Sequence, residues 1–184
     1  MNFELSSKAL GQLAGDKTDI LVVLVPDGFK PDRGGLSELI GDALKSEALE
    51  TKAGKTLSMW RMPGVAAQRL VLTGIGDGSA AQVRTGVTAA MPLVKASGAK
   101  HLTVCFAASC GGQALRAATL AVADGSYAYT TTKSRPDARK LKDVVLCAQG
   151  SGLAEALRQA RALVSGIELA KEWANRPANH ATPT

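Results

Sequence analysis

Six aliphatic residues in a row, Ile20-Leu21-Val22-Val23-Leu24-Val25, run unbroken and stop at Pro26. A strand with one wet face alternates apolar and polar residues, so a continuous β-branched run of this kind has to be buried on both faces. A sheet with helices packed on both sides offers such a place. The chain around the run fits that demand. Gly28 opens a turn-rich loop, and Leu36, Leu39, Ile40, Ala43 and Leu44 then recur at helical spacing. Residues 56–62 read as a strand closed by Pro63-Gly64, and residues 69–73 as another leading into Gly74-Ile75-Gly76-Asp77-Gly78. Residues 80–97 read as a helix that Pro92 kinks or ends. A strand at 101–106, a helix at 113–124 and a strand at 143–148 complete the alternation. The expected fold is α/β: a mixed, largely parallel central sheet flanked by helices, with residues 56–74 able to form an antiparallel hairpin.

From Leu153 onward the pattern changes. Ala156, Leu157, Ala160, Leu163, Val164, Ile167, Ala170 and Trp173 keep a helical rhythm, with Ser151 as the expected N-cap. A helix reaching Ala174 would be roughly 36 Å long, which suits a connector between two bodies. Asn175-Arg176-Pro177 ends it, because the residue before a proline is pushed out of the α region. Thr182-Pro183 is then a helix start signal with no helix behind it. The division expected is an α/β domain over 1–150, a connecting helix over 151–174, and a junction over 175–184 opening a further domain.

Composition excludes several classes. With 46% apolar residues in 184 the chain is no disordered or low-complexity protein. No apolar run nears the roughly 20 residues of a membrane span, and nothing resembles a signal peptide, so a soluble cytoplasmic protein is expected. Cys105, Cys110 and Cys147 are odd in number and form no Cys-x-x-Cys pair, which points to reduced thiols and away from a zinc site. The net charge of +6 lies mostly in residues 1–150, where Lys133, Arg135, Arg139, Lys140 and Lys142 cluster against Asp137 alone.

The segment from Gly166 to Pro183 resembles the junction of the leucine (cytosol) aminopeptidase family, where a connecting helix ends in Asn-x-Pro-x-Asn and Thr-Pro follows. Asn175, Pro177, Asn179, Thr182 and Pro183 match that pattern, while Ala178 replaces a proline often found there. Gly41-Asp42-Ala43-Leu44, Lys52-Ala53-Gly54-Lys55-Thr56, residues 69–76 and residues 127–133 agree in order. The resemblance implies a macro-domain-like N-terminal α/β domain of a hexameric, cytoplasmic aminopeptidase that removes N-terminal residues, often leucine, from peptides. It also implies two divalent ions, manganese or zinc, held by a C-terminal catalytic domain, and a role for this part in assembly and substrate access. None of the family's metal-binding or catalytic motifs occurs in the 184 residues, so no catalytic, cofactor or metal residue is assigned.

Four groups of residues invite other chemistry. Gly74 to Gly78 lies where a phosphate-binding loop would, yet Ser79 stands in place of the third fingerprint glycine, no Gly-Lys-Ser/Thr follows and Asp77 would repel an anion. A tight structural turn is the expectation. Cys110-Gly111-Gly112 is a second glycine loop at a strand's carboxyl end, where a helix start could activate the thiol, although no partner lies near in sequence. Through these loops a macro-like module could bind ADP-ribose or another nucleotide. His101 and Cys105 share a strand face but make only half a metal site, and His180 lies in the junction. The cluster from Lys133 to Lys142 could meet DNA phosphates, although no nucleic-acid motif accompanies it.

Overall fold

The computed structural model describes residues 1–177. The aliphatic run is strand β2 (Ile20–Val25), with every residue buried on both sides. It pairs in parallel with β4 (Arg69–Gly74) on one flank and β5 (His101–Phe106) on the other. β6 (Asp143–Cys147) and β1 (Asn2–Ser6) extend the sheet in parallel beyond β5. The hairpin strand β3 (Thr56–Trp60) adds antiparallel to β4, giving the order β1-β6-β5-β2-β4-β3. The sheet is thus mixed and mostly parallel, as the aliphatic run required.

Alternation within β2 divides the core. Ile20, Val22 and Leu24 pack under helices α2 (Ala80–Ser97), α3 (Gly112–Ser126) and the long α4 (Leu153–Ala174). Leu21, Val23 and Val25 face α1 (Gly35–Lys45) and a 3₁₀ turn at Leu10–Gln12. Each such side chain removed from water contributes about 1.5–3 kcal/mol before entropy is counted.

Two local expectations are narrowed. Of the two outcomes open at Pro92, ending α2 is excluded, because the helix runs through it; Pro92 is on the solvent side, where water can satisfy the carbonyl that loses its bond. The N-cap of α4 is Gly152, one residue beyond the Ser151 expected from sequence. No described helix is long and apolar enough to cross a membrane. Ala178, Asn179, His180, Thr182 and Pro183 lie outside the described residues.

Candidate functional site

The helix after β2 covers one face of the sheet and the helix after β5 covers the other, so the two loops part at the strands' carboxyl ends. Open α/β sheets bind ligands in that crevice. Here it has two lobes of about 260 and 250 Å³ that share Phe106 and Ala108. The first brings the two glycine loops together, with Ile75, Asp77 and Gly78 opposite Ser109, Cys110 and Gly111. The second runs under Lys30, Asp32 and Arg33 toward Lys8, which is already paired with Asp16 at 2.8 Å.

The first glycine loop has internal partners for its polar groups. Gly76 holds φ +51°, and a Cβ there would run into the Gln82 carboxamide, whose oxygen accepts the Asp77 N–H at 3.3 Å. The Asp77 carboxylate accepts the Ser79 N–H at 2.8 Å, and this bond holds Asp77 below the usual carboxylate range. The loop therefore offers a fixed negative charge where a phosphate would sit. Sequence spacing shows the missing third glycine but not Gln82, which folds back from α2.

Cys110 is half-buried beside Gly111, the N-cap of α3. Burial pushes its thiol up to about 11 rather than down, so the helix start does not activate it. Cys105 and Cys147 face each other across β5 and β6; burial, with Cys147 and Cys110 nearby, pushes Cys105 up to about 12, and burial raises Cys147. A free thiol titrates near pH 8.5. The folded chain keeps its protons where the unfolded chain loses them, so this stability is complete below about pH 8.5 and is lost as pH rises toward 11–12. Ellman's reagent at pH 8 should label native Cys110 on the order of 100-fold more slowly than the same thiol in urea, and equal rates would contradict a buried, unactivated group.

The remaining candidates disperse. His101 is exposed at the start of β5 and meets the Asp143 carboxylate at 3.2 Å, while Cys105 is buried at the other end of the strand. Among the described residues no three His, Cys, Asp or Glu side chains gather to hold a metal ion.

The basic cluster is split in the same way. The Arg139 guanidinium turns inward, pairs with Glu168 of α4 and donates from Nε to the Ser126 carbonyl at 3.1 Å. Lys133, Arg135, Lys140 and Lys142 remain exposed. Two further contacts tie the same half of α4 to the domain: Lys171 to Asp124 at 2.7 Å, and Thr131 donating to Glu172. Every charged residue between positions 162 and 174 thus points at the body of the domain. Leu163, Ile167, Leu169 and Trp173 face solvent. The sequence carries a signal for this, since Glu168, Lys171 and Glu172 fall on one helical face.

Comparison with known proteins gives concordant matches. Residues 32–136 match the family model described as the cytosol aminopeptidase family, N-terminal domain. A probable cytosol aminopeptidase of Albidiferax ferrireducens is 48% identical over the whole chain, which covers 38% of that relative. One from Verminephrobacter eiseniae is 45% identical, with 36% of it covered. A tomato leucine aminopeptidase mutant superposes with a TM-score of 0.75 at 21% identity, over all of this chain and 40% of that one. The bottromycin maturation enzyme BotP gives 0.63 at 18% identity, over 90% of this chain and 34% of its own. At those identities the two structures speak to the fold alone. The chain spans well under half the length of the curated relatives it matches.

Proposed function

We propose a function from one premise: the chain belongs to the cytosol aminopeptidase family, as its N-terminal domain. Residues 1–150 serve as a non-catalytic α/β domain, residues 151–174 as a connecting helix, and residues 175–184 as the entry to a catalytic domain. The whole protein is then a cytoplasmic leucyl aminopeptidase that releases N-terminal residues, often leucine, from peptides with two manganese or zinc ions. In a hexamer of that enzyme this domain contributes to assembly and to substrate access. The observation that carries the reading is the match along the entire chain to aminopeptidases of which it makes up only 38%.

The pure 184-residue chain is expected to release no product from a leucine anilide with manganese or zinc present. Turnover that tracks the pure chain and stops on chelation would overturn the non-catalytic role.

The crevice keeps a second reading in play, a macro-like module for ADP-ribose or a related nucleotide, because its two lobes have the volume for part of such a ligand. Asp77 and the Gln82 carboxamide oppose it, so calorimetric titration with ADP-ribose is expected to give no heat. DNA binding would have to rest on Lys133, Arg135, Lys140 and Lys142, since Arg139 is committed to Glu168. Its signature would be an affinity falling steeply with salt.

A further inference from the structure

The distal half of α4 is built inside out. Its proximal half is an ordinary amphipathic helix: Leu153, Ala156, Leu157, Ala160 and Val164 are buried against α3 and β1. Beyond Val164 the inward positions are taken by Glu168, Lys171 and Glu172, each bonded to a group on the domain. The outward positions carry Leu163, Ile167, Leu169 and Trp173, exposed by 45%, 36%, 60% and 53%. Ala and Gly fill the rest of that side, exposed Ser165 lies at its margin with its hydroxyl turned back to the Arg161 carbonyl, and no charge interrupts it between 162 and 174. A surface helix normally turns its charges to water and its apolar residues to the core. Here the ion pairs hold the helix so that the apolar side looks away from its own domain.

We infer that this outward face is the seat of the catalytic domain that follows in the same polypeptide, an apolar and uncharged contact that fixes the two domains relative to each other. The inference rests on the function proposed above. Three observations select this occupant. The relatives carry more than half of their length outside the matched part, so in such a protein a large body adjoins this domain. The face continues to Trp173 at the end of α4, so chain running on from the helix leaves beside it. Apart from Arg176 at its end, which is paired with Glu172, the face offers no charge to a nucleic acid or an acidic partner, whereas Ala and Gly between large side chains allow close and permanent packing. Arg176 stacks over Trp173 at 4.2 Å, covering one side of the indole and leaving the other free.

Amide exchange provides the test, measured on the 184-residue chain and on the longer aminopeptidase polypeptide. Amides of residues 162–174 should exchange at least about tenfold more slowly in the longer protein. Ile167→Glu combined with Trp173→Glu should leave the melting temperature of the 184-residue chain within about 2 °C, because both side chains point to water. The same pair should abolish the extra protection in the longer polypeptide. Equal exchange in the two proteins would overturn the inference. So would a concentration-dependent dimer of the short chain that the double substitution dissolves while the longer protein stays unprotected, since a second copy would then be the occupant. Failure of the wild-type longer protein to release leucine with manganese would refute the proposed function instead, and the exchange result is read independently of it.

Discussion

Replacing Gly74 with alanine should cost about 3 kcal/mol or more, a large part of the 5–15 kcal/mol that holds a typical domain together. Gly74 ends β4 beneath the segment that leads into β3. A Cβ there would lie 2.5 Å from the carbonyl oxygens of Glu50 and Lys52, with Thr51 between them equally close in. These are backbone atoms, so no side chain can rotate out of the way. The segment cannot retreat either: Gly74 donates to the Lys55 carbonyl at 2.9 Å, Gly54 to Gly74 at 3.1 Å and Gly76 to Thr51 at 2.8 Å. Shifting it to admit a methyl would break bonds that each contribute about 1 kcal/mol net. In urea the unfolding midpoint should fall by about 1 M or more, given a slope of roughly 1–3 kcal/mol per molar. A loss under about 1 kcal/mol would show that the glycine is not required by this crowding, and would reopen the loop to a ligand-binding explanation.

The sequence carried the architecture in the places where burial leaves a one-dimensional trace. Ile20–Val25 demanded two covered faces and has them. The turn at Pro63-Gly64 allowed the antiparallel pairing of β3 with β4, and the helical rhythm after Leu153 marked α4 to its last residue. Contacts between groups far apart in the chain left no such trace. Leu163, Ile167 and Trp173 keep the rhythm of a buried stripe; the shared face of Glu168, Lys171 and Glu172 hints at a second side to the helix, but not at which side meets the domain. The inversion depends on Asp124, Thr131 and Arg139, which reach α4 from 29 to 47 residues away. The same holds at the crevice. Both glycine loops could be placed at strand ends, but the Gln82 carboxamide filling one of them is a tertiary fact.

Arg139→Ala is expected to lower stability by roughly 1–3 kcal/mol, and to loosen the distal half of α4 before the core. The guanidinium meets two needs at once. Ser126 is the last residue of α3, where carbonyls lack helical partners and a cation is favoured by the helix dipole, and Arg139 Nε donates to its carbonyl. The other end pairs with Glu168, and both side chains are largely shielded, at 17% and 30% exposure. Removal therefore leaves a partly buried carboxylate with no counter-charge, facing a domain surface instead of water. Lys140→Ala, one residue on, removes the same formal charge from an exposed side chain and should change stability by less than about 0.5 kcal/mol. Urea melts of the two variants separate an inward tie from a solvated basic patch, and amide exchange at residues 165–174 shows where the loosening falls. Equal effects from the two substitutions would mean that the cluster acts through its total charge. A double-mutant cycle with Glu168→Ala should return a coupling of about 1 kcal/mol, because each residue loses most of its contribution once the other is gone.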